Sequence, residues 1–313
     1  MQKKIAGRKK LSLNINRGDM WDEVTLKHLL QRKPKILYQG KSKYQKIIVL
    51  EAKDVRMYLD RQLQFSSLDE RMYHEALVHP ALSMASGRRN VLILGGGDGM
   101  AVREVLKYKD VKSVDLVELD PKVIALAKRK PISVLNNRSL FSKRVKVHLQ
   151  DATIFLPSNA KRYNVVIVDF PDPSDKQISK LYTKEFLQVL TKSLAPGGII
   201  VCQSHSTEDT PRVYWSIYHT FRSVGMNTKS YYTYVPSFGD WGFHVASYKE
   251  LNPGRIKVSV PTQTLPKKIT SLFNLPKQLL AKKKNAMPNS TKNLRLFRYY
   301  RLDKAKHKVP NID

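Results

Sequence analysis

The chain has almost no cysteine and no long apolar run, and each absence excludes a class of protein. Cys202 is the only cysteine among 313 residues, so a disulfide framework is excluded and a reducing compartment is expected. No apolar run approaches the roughly 20 residues that a membrane-spanning helix needs, and no apolar stretch follows the basic N-terminus. We therefore expect a soluble, cytoplasmic protein. An organelle-targeting segment in residues 1–18, which contain no acid, is an open alternative.

Negative charge is also scarce, above all at the two ends of the chain. The sequence has 56 Lys and Arg against 26 Asp and Glu, a net charge of +30. Residues 1–46 contribute +10 and residues 251–313 contribute +13, whereas residues 47–250 contribute only +7. Such ends are either solvated, solubilising segments or surfaces that attract nucleic acid or anionic lipid. No zinc-finger, RNP or helix-turn-helix pattern supports the second interpretation, and both stay open.

The hydrophobic pattern predicts an α/β protein with a small β domain in front. Residues 35–65 alternate in short runs, which indicates two or three antiparallel strands. From residue 90 apolar strands alternate with helical segments, which is typical of a Rossmann-like, doubly wound parallel sheet, and residues 231–248 fit an antiparallel edge hairpin. We therefore divide the chain into a basic N-terminal extension (1–34), a β-hairpin domain (35–68), a Rossmann-like catalytic domain (69–250) and a partly packed basic C-terminal extension (251–313).

A glycine turn and two acids follow consecutive predicted strands. The turn "GGGDGM" lies between a strand and a helix, and the lack of side chains at Gly95 and Gly97 lets the backbone approach a ligand. Glu118 ends the next strand, where an acid usually accepts both hydroxyls of a ribose. Asp151 ends the strand after that, where a carboxylate can accept from an adenine amino group. Each acid alone could be a surface cap, but together they predict an adenosine pocket.

Asp98 narrows the choice of adenosine compound because it lies inside the glycine turn. In a dinucleotide site it would face the pyrophosphate, and like charges about 4 Å apart repel by roughly 4 kcal/mol at an effective dielectric of 20. A sulfonium nucleoside with a free amine fits better, and a ligand that keeps a carboxylate there fits worse. Asp98 can also cap the helix that follows, and both roles can be filled at once. The pattern favours a fold like that of S-adenosylmethionine-dependent methyltransferases.

Two further acids, Asp169 and Asp172, follow the apolar strand "YNVVIVD". Pro171 and Pro173 favour a turn there, which would bring both acids to the carboxyl end of the strand, where open α/β sheets bind ligands. The alternative is a proline turn with two exposed caps.

These motifs together resemble the polyamine aminopropyltransferases, the spermidine synthase family. The resemblance runs in order from Tyr38 to Tyr248 and rests on "YQKIIVLE", "LQFSSLDERMYHEALVHPAL", "VLILGGGDG", "REVLKY", "VELD", "QDA", the Asp-x-x-Asp-Pro stretch and "VPSFGDWGF". "DFPDP…KLYTKEF", "VPSFGDWGF", "SLFNLP" and "LRLFRYYR" look more like the branch that is usually fused to membrane helices, which this sequence does not contain.

The resemblance implies transfer of the aminopropyl group of decarboxylated S-adenosylmethionine to a di- or polyamine, without a metal. Putrescine is the expected acceptor, spermidine the product and methylthioadenosine the leaving group. The resemblance also implies a homo-oligomer, dimer or tetramer, built through the β domain. The implied donor-binding residues are Gln45, Gln64, His74, Gly95, Gly97, Asp98, Glu118, Asp151 and Ala152. Tyr73 and Asp172 would hold the amine and Asp169 would be the catalytic carboxylate, although helix packing alone could explain Tyr73 and His74.

The implied reaction explains why two acids are needed. A neutral amine must attack a carbon bonded to S⁺, yet an alkylammonium has a pKa near 10 and an ordinary Asp about 3.9, so direct proton transfer is uphill by roughly 8 kcal/mol. A nearby sulfonium lowers the pKa of the amine, and burial raises that of the carboxylate. We therefore expect Asp169 to orient the amine and take its proton while Asp172 holds it.

Two positions depart from the family pattern, and two other functions stay open. His205 stands where relatives with a second amine site carry an acid, with Glu208 slightly later, and a protonated His205 would repel a distal ammonium. Arg61 stands at a hairpin position where the family commonly has Gly, and a positive φ would be costly there, which leaves the placement of Gln64 open. The other functions are an S-adenosylmethionine methyltransferase and a catalytically weak relative whose basic ends bind nucleic acid or anionic membrane.

Overall fold

A computed structural model of the chain describes residues 20–305, and their strands fall into two sheets. The possible targeting segment in residues 1–18 and the last eight residues of the basic C-terminal extension lie outside this range. From residue 20 to residue 305, every helix is too short or too polar to cross a bilayer.

The smaller sheet is antiparallel and has four strands, where we expected two or three. Helix α1 precedes it and strands β1 to β4 follow in chain order: Met20–Gln31, then Lys35–Lys41, Lys46–Glu51, Val55–Leu59 and Gln62–Ser66. Leu26 of α1 packs against buried side chains of the sheet, namely Leu50, Tyr58 and Leu63. The N-terminal region therefore contributes a helix that covers one face of this sheet, and it is more than a solvated basic segment.

The turn between β3 and β4 keeps a left-handed backbone although it contains no glycine. Asp60 and Arg61 have φ values of 47° and 72°, the geometry whose twist suits a two-residue hairpin. The carboxylate of Asp60 accepts the N–H of Lys46 at 3.0 Å, and the Arg61 guanidinium lies 3.5 Å from the carboxylate of Glu23. The expected positive φ is thus adopted at Arg61, at a conformational cost, and the hairpin is not rearranged.

The larger sheet has seven strands in the order of a methyltransferase-like fold. Strands β5 to β11 are Asn90–Gly95, Ser113–Glu118, Val145–Leu149, Tyr163–Asp169, Leu194–Ser206, Asn227–Val235 and Gly239–Ser247. They lie in the order β7-β6-β5-β8-β9-β11-β10, parallel from β7 to β9, with β11 and β10 antiparallel. The strand order reverses beside β5, and open α/β sheets bind ligands at such a point. The Rossmann-like prediction, with an antiparallel hairpin at one edge, is confirmed.

Helices cover both faces of the larger sheet. Helices α2 to α9 are Glu70–Met84, Met100–Leu106, Pro121–Ala127, Ile132–Leu135, Ala152–Ser158, Lys176–Lys180, Lys184–Thr191 and Pro211–Ser223. Alternate side chains of the central strands enter two apolar cores, with Ile93 and Ile167 on one face and Leu92 and Val166 on the other. All four are fully buried, as expected for a parallel sheet between helix layers. This core holds the carboxyl ends of the strands in fixed positions.

The basic C-terminal segment packs against the catalytic domain up to residue 305. Its α-helices α10 and α11 are Lys277–Ala281 and Arg295–Lys304. The indole N–H of Trp215 in α9 donates to the carbonyl of Leu279 at 2.8 Å. Leu296 and Tyr300 of α11 join the apolar core beneath the large sheet. We expected this segment to be partly packed; as far as residue 305 it contacts α2, β10 and α9, and residues 306–313 lie outside the described range.

Candidate active site

A cavity of about 930 Å³ opens at the carboxyl ends of the central parallel strands, with further walls from the small sheet and α2. All twelve residues that the sequence assigns to the site line it: Gln45, Gln64, Tyr73, His74, Gly95, Gly97, Asp98, Glu118, Asp151, Ala152, Asp169 and Asp172. Five of the twelve are acids. Although the whole protein carries +30, these acids concentrate negative charge in one concave site, which focuses a field that attracts cations.

Three of these acids, which we call the locally held acids, are fixed by backbone N–H groups two residues further along the chain. The pairs are Asp98 Oδ1 with Met100 at 2.7 Å, Glu118 Oε1 with Asp120 at 2.9 Å, and Asp151 Oδ1 with Thr153 at 2.7 Å. Asp98 and Asp151 therefore each accept a hydrogen bond from the first turn of the helix that follows, and both also line the cavity. Burial, together with the charges of Asp120 and Asp98, raises the pKa of Glu118 to about 7.

The glycine turn makes room for two acids of the site. Gly95 has a φ of 80°, and a Cβ placed there would collide with the backbone carbonyl of Asp169. A Cβ on Gly97 would lie 2.7 Å from a carboxylate oxygen of Glu118. We expected these glycines to let a ligand approach the backbone. The close contacts with Asp169 and Glu118 already require glycine at both positions, whether or not a ligand binds.

Tyr73 and Asp169 meet in the cavity although 96 positions separate them. The Tyr73 hydroxyl donates to Asp169 Oδ1 at 2.5 Å. Burial raises the pKa of Asp169 to about 6, with a contribution from Asp98, while His74 and the hydrogen bond from Tyr73 act in the opposite direction. Burial and the same carboxylate raise the pKa of Tyr73 well above its usual value. The pair thus places a neutral phenol against a carboxylate that is more basic than an exposed Asp.

The turn after β8, which carries Asp169 and Asp172, is held through its carbonyl groups. Tyr182 donates its hydroxyl to the carbonyl of Pro171 at 3.0 Å. The amide of Gln203 donates to the carbonyl of Phe170 at 2.6 Å. The prolines of this turn have no N–H and cannot donate backbone hydrogen bonds. The hydrogen bonds that Tyr182 and Gln203 donate to its carbonyl groups are therefore important for its position. We call Asp169 and Asp172 the distantly held acids, since contacts from far along the chain set their surroundings.

His74 is buried between two carboxylates. Its Nδ1 lies 2.9 Å from Glu70 and its Nε2 lies 3.9 Å from Asp98. Burial acts to lower the pKa of His74, but the hydrogen bond with Glu70 and the charges of Asp98 and Glu70 raise it to about 9. Arg103 in turn pairs with Glu70 at 2.8 Å. Glu70 is not among the residues predicted from the sequence, although its position four residues before His74 on α2 is a spacing at which helical side chains meet.

Aromatic side chains from the β10–β11 turn complete the wall beside Tyr73. The ring centres of Phe238 and Trp241 lie 6.0 and 6.3 Å from that of Tyr73, and both residues line the cavity. Ser237 fixes the turn, because its N–H and hydroxyl donate to Asp69 at 2.7 and 3.0 Å. Their motif helped to identify the family, but no periodicity in the sequence indicates that these two rings belong to the site.

His205 lies next to Asp172, and the backbone determines which of its ring nitrogens faces that carboxylate. Its Nδ1 accepts the N–H of Ser206 at 2.6 Å, so the proton of the neutral ring is on Nε2, which lies 2.9 Å from Asp172 Oδ2. His205 does not line the cavity, whereas Asp172 does, so a bound amine would meet Asp172 rather than the His205 ring. Glu208 is not among the residues that line the cavity, whereas Asp209 is.

A second buried cluster, outside the cavity lining, has ligand types that metals use. One ligand atom from each of Glu75, His79 and Glu104 lies within 4.8 Å of the others. The chain supplies its own cations there, however, because Glu104 pairs with Arg103 at 2.7 Å and with Lys107 at 2.5 Å. The His79 ring lies 2.9 Å from the same carboxylate. These contacts form a buried ion-pair network and give no argument for a metal.

The fold and the cavity define a class: Rossmann-like transferases with a methyltransferase-like strand order and a site lined by acids. Residues 70–256 match the family model described as the spermine/spermidine synthase domain. The chain therefore belongs to the spermine/spermidine synthase family and is an enzyme of polyamine biosynthesis, a polyamine aminopropyltransferase.

Individual relatives agree with this assignment. The chain is 46% identical over 288 residues to polyamine aminopropyltransferase 2 of Bacillus cereus. This alignment covers 90% of this chain and 79% of that protein. It is 45% identical over 232 residues to the polyamine aminopropyltransferase of Oceanobacillus iheyensis, covering 74% of this chain but 45% of that one. A crystal structure of spermidine synthase with the transition-state analogue AdoDATO superposes with a TM-score of 0.75 at 25% identity, covering 80% of this chain and 89% of that chain.

Proposed function

We propose that this enzyme transfers the aminopropyl group of decarboxylated S-adenosylmethionine to putrescine, which yields spermidine and methylthioadenosine. The observation that carries the proposal is the meeting of the Tyr73–Asp169 pair and Asp172 with the locally held acids in one cavity. The solved spermidine synthase relative contains the transition-state analogue AdoDATO, which supports a donor site of that kind in this chain.

The donor would lie against the locally held acids. Glu118 would accept the two ribose hydroxyls, and Asp151, with Ala152 beside it, would receive the adenine amino group. Asp98 would face the cationic end of the donor, with His74 behind it at 3.9 Å. Two glutamines of the N-terminal β domain would close this side: Gln64 in β4, and Gln45 in the turn before β2, whose amide donates to Asp120 at 2.9 Å.

The acceptor would lie between Tyr73 and the distantly held acids. The lone pair of the acceptor nitrogen forms the new C–N bond with the carbon attached to sulfur. The C–S bond breaks and its electron pair stays on sulfur, so the sulfur is neutral when methylthioadenosine leaves. Asp169 takes a proton from the bound alkylammonium so that a neutral nitrogen attacks, the product amine keeps its other two N–H protons and carries the positive charge, and Asp172 holds the amine by charge and hydrogen bonding. No acid is needed for the leaving group, because the sulfur is already cationic.

The environment of Asp169 lowers the energetic cost of this proton transfer. With an ordinary Asp the pKa gap to an alkylammonium is about 6 units, or roughly 8 kcal/mol. The pKa of Asp169 is raised to about 6, which reduces the gap to about 4 units, or roughly 5 kcal/mol. A sulfonium a few ångströms from the amine would lower the pKa of the ammonium and reduce the gap further.

The test is product analysis with a defined donor and a panel of acceptors. Purified protein is incubated with decarboxylated S-adenosylmethionine and putrescine, cadaverine, agmatine, spermidine or spermine, and mass spectrometry follows methylthioadenosine and new amines. We expect spermidine and methylthioadenosine in equal amounts from putrescine, and both at rates at least about 100-fold lower with the Asp169→Asn variant. Methyl transfer from S-adenosylmethionine, with no aminopropyl product, would instead support the methyltransferase alternative. A folded protein that is silent with every acceptor would contradict the proposal.

A further inference from the structure

His205 is a completely enclosed side chain directly behind the amine site. Its exposed fraction is 1%, its ring stacks on Trp241 with centroids 4.8 Å apart, and Tyr300 of the C-terminal helix α11 meets it edge-on at 5.3 Å. His205 does not line the cavity, whereas Asp172 and Trp241 do. Any effect of His205 on a substrate must therefore pass through a neighbour.

The ring is oriented so that its proton faces Asp172. Nδ1 accepts the N–H of Ser206 at 2.6 Å, and the hydroxyl oxygen of Thr210 lies 2.7 Å from the same nitrogen. This leaves the proton of the neutral ring on Nε2, 2.9 Å from Asp172 Oδ2. The angle is poor, and no residue in the range 20–305 gives Nε2 a well-aligned hydrogen bond. Hydrogen bonds at empty active sites often align only when the substrate binds.

The backbone ties His205 to the same turn that carries Asp172. His205 has a φ of 66°, a conformation that costs free energy in most residues and is retained where the surroundings enforce it. The side chain of Gln203 enforces it here: its carbonyl oxygen accepts the His205 N–H at 3.0 Å, and its amide donates to Phe170 at 2.6 Å. One amide thus fixes the histidine and the acid-bearing turn relative to each other.

We infer that His205 is a positioning residue for Asp172: its Nε2–H fixes the carboxylate from behind and so sets the affinity for the acceptor amine, with little effect on donor binding. This inference rests on the proposed function. The Trp241 and Tyr300 rings keep water from the contact, and α11 thereby supports the amine site from the C-terminal segment.

The experiment compares two variants that bear the same backbone strain. His205→Phe keeps an aromatic ring against Trp241 but removes the donor, whereas His205→Gln keeps an N–H at about the reach of Nε2. We expect His205→Phe to raise the KM for putrescine about 10-fold or more, because a hydrogen bond to a charged group is lost. The KM for decarboxylated S-adenosylmethionine stays within about 2-fold, and His205→Gln recovers most of the acceptor affinity.

A double-mutant cycle separates positioning from general damage. In an Asp172→Asn background, His205→Phe should change the putrescine KM by less than about 2-fold, since residues that act as a unit are not additive. Full additivity, or an equal rise in both KM values, would overturn the inference. His205→Asn, which tolerates positive φ but is too short to reach Asp172, should behave like His205→Phe if that variant proves unstable.

Calorimetry measures the binding of putrescine to the same variants without turnover, so it tests the role of His205 separately from the proposed function. A wild-type enzyme without aminopropyl transfer would contradict the proposed function. Active variants with unchanged putrescine affinity would contradict only the role of His205.

Discussion

The locally held and the distantly held acids share one cavity, but different parts of the chain fix them. Asp98, Glu118 and Asp151 each accept an N–H from two residues further on. Asp169 instead depends on Tyr73, 96 positions away, and its turn depends on Gln203, 33 positions from Phe170. The acids of the proposed donor side are thus placed by strand-to-helix turns, whereas the surroundings of those on the proposed acceptor side are assembled by the tertiary fold.

This difference has a consequence for chemistry. A carboxylate that accepts a hydrogen bond from its own turn is held in position once that turn has formed. Burial raises the pKa on both sides, to about 7 for Glu118 and to about 6 for Asp169, but the surroundings of Asp169 also depend on contacts from distant elements. We therefore expect changes at the distantly held acids to alter acceptor binding and catalysis, and changes at the locally held acids to alter donor binding.

The largest effect should follow removal of the Asp169 charge. Asp169→Asn should lower kcat roughly 10²- to 10⁴-fold, the range for loss of a positioned proton acceptor, while the Kd of methylthioadenosine changes less than about 3-fold. Steady-state turnover and calorimetry measure the two quantities. Asp110→Asn, at an exposed acid paired with Arg88, is the matched control and should turn over like the wild type. A comparable loss of methylthioadenosine binding would abolish the distinction between the two sides.

Loss of the phenolic hydroxyl should have a smaller effect with a clear pH signature. Tyr73→Phe should reduce kcat/KM for putrescine about 10-fold. Because the Tyr73 hydrogen bond lowers the pKa of Asp169, the acid limb of the rate profile, expected near pH 6 in the wild type, should move to higher pH. An acid limb that stays in place or moves to lower pH in the variant would contradict this coupling.

Asp169 should also reduce stability, in a pH window that its pKa defines. Its pKa is about 6 in the folded protein and about 3.9 in the unfolded chain. The folded state therefore binds more protons between these values, and stability falls as the pH rises through them. Asp169→Asn should raise the free energy of unfolding by about 1–3 kcal/mol at pH 7 and by much less at pH 4. Denaturant titrations at both pH values test this, and equal shifts at the two would contradict it.

The smallest effect concerns the left-handed turn of the small sheet. Arg61→Gly should stabilise the protein by about 0.5–1 kcal/mol, because glycine adopts positive φ without steric cost. The kinetic constants should stay unchanged. Arg61→Ala also removes the contact with Glu23 but keeps a Cβ, so it should bring no such gain in stability. Thermal melts of both variants and the wild type measure the difference. Equal stability of the two variants would show that the turn is not strained at this position.

The locally held acids show how much of the site the sequence can predict. Each lies at the end of an apolar strand and before a helix, so pattern and spacing suffice to place Asp98, Glu118 and Asp151 on one edge of the sheet. The same periodicity predicts the parallel sheet. For Asp169 and Asp172 the sequence predicts the position on that edge, but their assignment to catalysis came from the family resemblance.

What the sequence could not reveal lies in contacts between distant segments. Trp241, Phe238 and Gln203 enter the cavity because an edge hairpin and a neighbouring strand end beside it, which no local pattern encodes. The contact of the His205 ring with Asp172 depends on the backbone geometry at which Nδ1 accepts the N–H of Ser206. Helix α1 was hidden within a basic segment, since a single buried leucine, Leu26, leaves only a weak periodic signal.

The most direct test of the two-sided site is a crosswise comparison of Glu118→Gln and Asp172→Asn with both substrates varied. Glu118→Gln should raise the KM for decarboxylated S-adenosylmethionine about 10-fold or more and leave that for putrescine within about 3-fold. Asp172→Asn should do the reverse. If both variants raise both KM values to the same extent, the cavity is not divided into a donor side and an acceptor side, and the account is wrong.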